Sequence, residues 1–271
     1  MKTSTRRIAL LSGASIAALG IASPSLAAPH GAPPPDGQYS GTSHAGPVDT
    51  IDICTIAGAF TSANYCFVGE RNYPVDGTAY VANTSEGQIK QSTAFTNTDV
   101  FFRVEVDAGD SAEVGAVATD TTDFVAVANA HLIDGISQYG RGTDDVTLSV
   151  EAAGNLNVQA HAYATGPFAF ANATLDGGIL QDANATEGTD AIVEINAESY
   201  MNIGAHATAN ADFTADAFAQ AYNNIDQAAF ADGTDLASAE LNVGTAGVLN
   251  LSALAVASAY TNGAYAYASL F

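Results

Sequence analysis

One block of this 271-residue chain recurs almost unchanged 45 positions later, and this repeat limits the folds that the chain can adopt. Residues 157–164 are NVQAHAYA and residues 202–209 are NIGAHATA. Each copy follows a Thr-Asp pair, and the intervals between successive pairs are 45, 46 and 45 residues. A fixed period in this range is typical of repeat architectures, in which each unit stacks on its neighbours. The Thr-Asp pairs begin at Thr98, Thr143, Thr189 and Thr234.

A shorter interval of 22 or 23 residues lies within the repeat, marked by aliphatic residues that each open a run of small and polar residues. If this interval is structural, each 45-residue repeat contains two stacked rungs rather than one. The marking residues are Val114, Ile136, Val158, Leu180, Ile203 and Ile225.

Residues within the repeats alternate with a period of two. Val158 and Ala160 would face one side of a strand and His161 the other, before Gly166-Pro167 interrupts the pattern. Such alternation with Gly and Pro breaks indicates strands joined by turns. A helix is the competing interpretation of Ala-rich stretches such as 205–221, but polar residues interrupt them without a 3.6-residue apolar stripe. We therefore predict an all-β fold, a β-solenoid of 22- or 45-residue repeats built from stacked strand-turn-strand rungs.

The first 27 residues have the features of a secretory signal peptide. Basic residues, including the pair Arg6-Arg7, precede an apolar run that ends near Ile21, and small residues surround Ala27. The apolar run is too short to span a membrane. The arginine pair leaves open twin-arginine export beside the general secretory route. We predict that residues 1–27 are removed and that the chain is exported to the cell surface, the outer membrane or the extracellular space.

Three further segments follow the predicted signal peptide. Residues 28–47 are rich in Pro and Gly, which predicts a flexible leader. Residues 48–97 contain both cysteines of the chain, Cys54 and Cys66, and in an exported protein a lone pair most simply forms one disulfide. We predict that this segment is an N-terminal cap, which an end rung needs to shield its core. Residues 98–271 form the predicted β-repeat body.

The charge of the chain excludes several classes of partner. The sequence holds 29 acidic and 7 basic residues, and removal of the signal peptide leaves four basic residues and a formal charge of −25. Nucleic acids and anionic membranes attract basic proteins, so neither is a predicted partner. With 48% hydrophobic and 13% charged residues, the chain is not a disordered acidic tail.

Acidic residues recur near the start of each repeat. Stacked rungs would bring them into a column of like charge, which repels itself unless a cation bridges it. Calcium is the natural candidate, because it prefers carboxylate oxygens. Thr-Asp is also ordinary turn chemistry, in which the Asp side chain bonds nearby backbone, and this interpretation stays open. The candidate calcium ligands are Asp99, Asp144, Asp190 and Asp235.

Two other sets of side chains recur with the repeat. One rung per repeat would place His161 and His206 on strands about 4.8 Å apart, where they could share zinc, whereas two rungs would separate them by about 10 Å. The 22-residue interval favours two rungs and therefore no zinc. Amide side chains near the strand starts predict either ordinary polar content or hydrogen-bonded amide ladders. These amides are Asn157, Asn202, Asn224, Asn250, Gln159, Gln181 and Gln227.

The sequence contains no motif of the common hydrolases, metalloproteases or nucleotide-binding enzymes, which predicts that the protein is not an enzyme. The runs Asn157–Ala162 and Asn223–Ala229, with their spaced Asn and Gln, resemble those of curli-type functional amyloid subunits and of holdfast anchor proteins. This resemblance implies an exported structural protein that anchors the cell to an extracellular adhesive or matrix. Its implied partners are surface or matrix components, including a polysaccharide adhesin, and other copies of the chain.

Two alternatives stay open at this stage. The chain ends on an alternating strand with Tyr265, Tyr267 and Phe271, which is similar to the terminal signal of outer-membrane β-barrel proteins. Its Ala-rich strands, however, offer few long aliphatic side chains to lipid, so we predict that these aromatics finish the last rung and shield its edge. The second alternative is a solenoid enzyme that acts on polysaccharide, which would need clustered Asp, Lys and Arg that break the repeat.

Overall fold

The computed structural model describes residues 42–56, 65–72, 79–82, 88–121, 124–186, 190–232 and 236–271. All of them belong to the larger of two compact units, Pro34–Phe271. The predicted signal peptide, 1–27, and the first part of the predicted leader lie outside the described residues. Within the described ranges, no helix has the length and apolar character needed to cross a membrane.

The described residues form 18 β-strands and one short α-helix. In chain order these are β1 (Thr42–Ala45), β2 (Val48–Asp52), α1 (Ile53–Ile56), β3 (Tyr65–Asn72), β4 (Ala79–Ala82), β5 (Ile89–Ser92), β6 (Val100–Val106), β7 (Ser111–Asp120), β8 (Val125–Ile133), β9 (Ile136–Gly142), β10 (Val146–Ala152), β11 (Asn155–Asp176), β12 (Ile179–Ala185), β13 (Ala191–Ala197), β14 (Tyr200–Tyr222), β15 (Ile225–Ala231), β16 (Ala237–Val243), β17 (Val248–Ala259) and β18 (Gly263–Leu270).

These strands form three sheets, and the pairing within each sheet is parallel. Sheet 1 has the order β1-β5-β9-β12-β15, and sheet 2 has the order β2-β6-β10-β13-β16. The long sheet has the order β3-β7-β11-β14-β17, and it also includes β4, β8 and β18. The prediction of an all-β fold is confirmed, and the sheets are parallel.

Paired residues are about one 45-residue repeat apart. Val146 is level with Val100 on one side and with Ala191, 45 positions further on, on the other. The 22-residue interval instead joins residues of different sheets, because Ile136 lies in sheet 1 and Val158 in the long sheet. The expectation of two stacked rungs per repeat is therefore wrong, since a step of 22 residues does not lead to a paired strand.

Alanine fills much of the interior of the long sheet. Side chains alternate between the two faces of a strand, so every second residue points inward. Ala160 is fully buried between Ala116 and Ala205, its neighbours on the adjoining strands. Larger side chains such as Leu156 and Val158 occupy the inward positions at the start of β11. Similar inward columns contain Ala126, Ala128, Ala130, Ala169, Ala171, Ala173, Ala215, Ala217 and Ala219.

The Gly166-Pro167 pair does not end β11, although the sequence predicts a break there. The pairing with β14 shifts by one residue at this point, because Gly166 is level with Ala211 but Phe168 is level with Thr214. Proline has no backbone N–H to donate to a neighbouring strand, which makes it compatible with such an irregularity. The predicted turn is thus a local register shift within one long strand.

The N-terminal segment belongs to the same sheets as the repeat body. β1 lies inside the predicted leader, 28–47, and β2 to β5 lie inside the predicted cap, 48–97. The sequence conceals these strands because parallel pairing uses backbone groups and tolerates an irregular side-chain pattern. The boundaries of leader, cap and repeat body stay predictions, while β2 to β5 pair with strands of the predicted repeat body and β1 pairs with β5. The predicted disulfide is confirmed, and Cys54 in α1 is bonded to Cys66 in β3.

Candidate functional site

Aromatic and amide side chains form a row on the outward face of the long sheet. Asn129, Asn172, Phe218 and Tyr267 lie level with one another across β8, β11, β14 and β18. Two residues earlier on these strands, Phe170 is level with Asp216 and Tyr265, on the same face. We call the resulting depression the aromatic groove; it is lined by Asn129, Phe170, Ala171, Asn172, Phe218, Gln220, Tyr265 and Tyr267.

The aromatic groove is open and has a volume of about 660 Å³. The ring centroids of Phe218 and Tyr265 are 5.6 Å apart, and the rings of Tyr265 and Tyr267 stay about half exposed. Aromatic rings offer an apolar face, while amide side chains both donate and accept hydrogen bonds. A groove with both groups suits ligands that combine an apolar face with a rim of hydroxyl groups, as sugar rings do.

Three further aromatic contacts lie along the same sheet. The ring of Phe168 lies between those of Phe124 and Phe213, with centroid distances of 5.3 and 5.2 Å. The ring of Phe271 stacks on that of Tyr222 at 5.1 Å. The C-terminal aromatics therefore rest on side chains of β14, and the neighbouring residue Leu270 remains half exposed. They finish the last strand, as predicted, but they do not cover its edge.

The surroundings of the aromatic groove are acidic. Asp176 and Asp216 lie on the outward face of β11 and β14, close to the groove-lining residues. No Lys or Arg follows Arg141 in the sequence, so residues 142–271 of the chain contain neither residue. Carboxylates repel anionic ligands and attract cationic ones. The groove is therefore suited to neutral or positively charged ligands.

A second polar cluster lies at the other end of the long sheet, around the buried carboxylate of Glu113. The Tyr65 hydroxyl donates a hydrogen bond to Glu113, and Arg71 donates to the Tyr65 oxygen at 2.8 Å. Gln159 donates its side-chain N–H to the other oxygen of Glu113 at 3.1 Å. Burial raises the pKa of Tyr65 far above its usual value, and the charge of Glu113 raises it further. Both carboxylate oxygens of Glu113 and the Tyr65 hydroxyl therefore have hydrogen-bond partners, whereas Nε of Arg71 is buried without one.

His161 and His206 are direct neighbours on β11 and β14. Their ring centroids are 6.4 Å apart with nearly perpendicular planes, and Nε2 of His206 lies 3.1 Å from the Ser252 hydroxyl. Burial, together with the charge that a protonated His161 would carry, lowers the pKa of His206 to about 4. The repeat therefore brings the two rings together, contrary to the 10 Å separation expected from two rungs. The described residues contain no group of three or more metal-binding side chains.

The candidate calcium residues fall into two registers. Asp145, rather than Asp144, is level with Asp99 and Asp190. Each of these three residues comes directly before a strand, and the first residues of these strands, Val100, Val146 and Ala191, are paired. A carboxylate oxygen of Asp145 accepts the backbone N–H of Asp190 at 3.0 Å, and one of Asp190 accepts that of Leu236 at 3.0 Å. These carboxylates therefore bond the backbone of the next repeat. Asp235 lies outside the described residues, and calcium binding stays a prediction.

A buried amide ladder runs through the inward face of sheet 1. We use this name for Gln91, Gln138, Gln181 and Gln227, which are level with one another on β5, β9, β12 and β15. Each of the last three donates its side-chain N–H to the side-chain oxygen of the preceding glutamine, at 2.7–2.9 Å. Each also donates to a backbone carbonyl of sheet 2. The ladder therefore links neighbouring repeats and joins two sheets.

The prediction of amide ladders is confirmed for Gln181 and Gln227. It is also confirmed for Asn202 on β14 and Asn250 on β17, because the side-chain N–H of Asn250 donates a hydrogen bond to the side-chain oxygen of Asn202 at 2.7 Å. Sequence reasoning missed Gln91 and Gln138. A signal for them exists, since the triplet Ile-x-Gln occurs at residues 89–91, 136–138, 179–181 and 225–227. The residues of the aromatic groove on β8, β11 and β14 were also missed.

Comparisons of this chain with protein families, with curated proteins and with solved structures find no match.

Proposed function

We propose that the chain is a β-solenoid in which one 45-residue repeat forms one rung, and that it is an exported, non-enzymatic structural protein. In this proposal it anchors the cell to an extracellular adhesive or matrix by binding polysaccharide in the aromatic groove. Parallel pairing at an interval of one repeat supports the solenoid, because each residue then lies level with its equivalent in the next repeat.

The aromatic groove is the single observation that carries the polysaccharide part of the proposal. Phe170, Phe218, Tyr265 and Tyr267 come from three neighbouring strands, so their rings form a surface across the strands rather than a point contact. Asn129, Asn172 and Gln220 provide donors and acceptors for hydroxyl groups along the same surface. An open groove of this kind accepts the middle of a long polymer, which an enclosed pocket would exclude.

Charge narrows the class of polysaccharide. The carboxylates of Asp176 and Asp216 lie on the groove face, and the chain as a whole has a formal charge of −22. A polyanionic matrix polymer would be repelled, whereas a neutral or amino-bearing polysaccharide would not. Export is supported by the predicted signal peptide and by the disulfide between Cys54 and Cys66, which is the state expected in an oxidising compartment.

The binding test uses purified protein and three soluble polymers: a neutral cellulose derivative, cationic chitosan and anionic alginate. We expect binding to the first or second and none to alginate. Tyr267→Ala and Phe170→Ala should each weaken binding about tenfold or more, the effect of losing a central aromatic contact. Tyr260→Ala is the matched control, because this exposed tyrosine lies outside the groove, and it should change affinity less than about twofold.

Preference for alginate, or equal losses in the groove variants and in Tyr260→Ala, would contradict the polysaccharide proposal. The cellular role is tested separately by deletion of the gene. We expect the deleted strain to release its matrix and to attach poorly, and a strain that carries Tyr267→Ala to share this defect. Normal attachment of both strains would refute the anchoring function.

A further inference from the structure

The last rung, which we define as β15, β16, β17 and β18, leaves the edges of all three sheets open among the described residues. β15 and β16 are the final strands of sheet 1 and sheet 2, and β17 and β18 each pair with β14 alone. Backbone N–H and C=O groups along such an edge are a template for pairing with another chain.

The interior of the solenoid is also exposed at this end. Leu241 and Leu251 point inward, and they are 44% and 39% exposed. Ile195 and Ile203, which are level with them in the preceding rung, are fully buried. The last rung therefore presents to solvent the same apolar face that every inner rung buries against its neighbour. Contiguous apolar surface of this kind marks an interaction site.

The edge lacks the features that normally prevent association. Proteins protect open edges with charged side chains, prolines or very short strands. Residues 241–271 contain no Asp, Glu, Lys, Arg or Pro, and β17 is 12 residues long. The sequence of this edge therefore favours pairing rather than protection.

The two ends of the solenoid differ, and this difference identifies the partner. At the other end of the sheets, the inward residues Ile51 of β2, Cys66 of β3 and Ala79 of β4 are at most 1% exposed, so these positions are not open to solvent. β1, β2 and β3 each pair on one side only, so their edges are open as well, but the described inward residues of that end offer no exposed apolar face to match Leu241 and Leu251. Head-to-tail stacking would therefore leave the apolar face of the last rung without an equivalent partner surface. Two open C-terminal ends, in contrast, present identical apolar faces to each other.

We propose that a second copy of this chain covers the last rung, edge to edge across a two-fold axis, and forms a closed dimer. Strands of the two copies then run antiparallel, which lets β15 of one copy pair with β16 of the other, and both have 7 residues. Together with β17 and β18, of 12 and 8 residues, the four strands contain more than the roughly 20–30 residues that each partner contributes to a stable interface.

Charge makes this association depend on salt. Each exported copy, without residues 1–27, carries a formal charge of −25, but the four strands of the last rung contain only Asp226 and Glu240 as charged residues. The interface itself is thus almost neutral, while the bodies of the two copies repel each other. Added salt screens this repulsion over about 10 Å at 0.1 M, so the dimer should become tighter as salt increases.

The experiment is sedimentation equilibrium of the purified protein at about 0.05 and about 0.5 M NaCl, without polysaccharide. We expect a mass that reaches twice that of one chain and then stays constant, with a lower dissociation constant at the higher salt. Leu251→Lys places a charge in the interface and should raise the dissociation constant at least about tenfold. Leu254→Lys is the matched control on the outward face of the same strand, and this substitution should change the dissociation constant less than about twofold.

A second measurement does not depend on the folding of a variant. Hydrogen exchange of the wild-type protein should slow in residues 248–259 and 263–270 as the concentration rises through the dissociation constant. A monomer at all concentrations, fibres that grow without limit, or unchanged exchange of these strands would each overturn the proposal. Because the aromatic groove faces outward, loss of polysaccharide binding alone would leave the dimer unaffected.

Discussion

Replacement of Gln181 by leucine tests whether the amide ladder holds the repeats together. The side chain of Gln181 is fully buried and donates to the side-chain oxygen of Gln138 at 2.7 Å and to the carbonyl of Glu194 at 3.1 Å. Leucine has a similar volume, so Gln181→Leu removes these donors without opening a large cavity. At the exposed end of the ladder, Gln227→Leu is the matched control.

The expected destabilisation follows from the groups that the substitution leaves unpaired. Gln181→Leu removes the donor to the side-chain oxygen of Gln138 and to the carbonyls of Leu148 and Glu194. It also removes the acceptor of the Gln227 side-chain N–H, and each buried group that stays unsatisfied costs about 1–3 kcal/mol. The free energy of unfolding should therefore fall by about 2–5 kcal/mol. Gln227→Leu leaves one buried acceptor, the side-chain oxygen of Gln181, without its donor, whereas water can reach its other acceptor, the carbonyl of the exposed residue Glu240. Gln227→Leu should therefore cost about 1–2 kcal/mol, less than Gln181→Leu.

The assay is urea unfolding followed by circular dichroism at pH 7. The protein concentration is chosen so that the wild-type protein and both variants are in the same association state. A shift of the midpoint at constant slope reports stability, whereas a changed slope would show that the transition is no longer two-state. Equal shifts of the midpoint for Gln181→Leu and Gln227→Leu would contradict this prediction, because Gln181→Leu leaves more buried groups unpaired.

Three further predictions concern other parts of the long sheet. The pKa of His206 is about 4 in the folded protein and 6.5 in the unfolded chain, so the unfolded state binds more protons between these two pH values. The free energy of unfolding should therefore fall by up to about 3 kcal/mol as the pH drops from 6.5 to 4. In urea titrations at several pH values, His206→Gln should reduce this dependence on pH. In Gly204→Ala the added Cβ would clash with the backbone of β17, so this substitution should lower the melting temperature by several degrees. Gly263 has open space around it, so Gly263→Ala should keep the melting temperature within about one degree of the wild-type value. Replacement of Cys54 and Cys66 by serine should cost about 3 kcal/mol, measured by urea unfolding, and an unchanged midpoint would contradict a structural role for the disulfide.

Much of the fold follows from the sequence because the repeat and the alternation act at every position. The matched blocks that contain His161 and His206 lie level in adjoining strands, and the inward residues predicted from alternation, such as Ala160, are buried. The number of rungs per repeat was not predictable in this way. Period-two alternation is the same whether a strand pairs with the next strand in its own repeat or with one 45 residues away.

The aromatic groove could not be predicted because its rows do not follow a constant period. A strict interval of 45 residues would place Phe170 level with Ala215, which points inward. The register shift at Gly166-Pro167 adds one residue and brings Phe170 level with Asp216 instead. Such an irregularity depends on tertiary packing and on the missing N–H of proline, and the sequence shows only a break in the pattern.

Deletion of one complete repeat tests directly whether each proposed rung is 45 residues long. Removal of residues 146–190 joins Asp145 to Ala191 and places Ala191 beside Val100, where Val146 lies in the intact chain. The control removes 22 residues, 158–179, which would force a strand of sheet 1 into the long sheet.

Both deletions are measured by far-ultraviolet circular dichroism and thermal unfolding. We expect the protein with the 45-residue deletion to keep its β-sheet signal per residue and a cooperative transition, because stacked repeats contact only their neighbours. The protein with the 22-residue deletion should lose both the signal and the cooperative transition. A folded protein after the 22-residue deletion, or an unfolded one after the 45-residue deletion, would show that 45 residues do not form one rung.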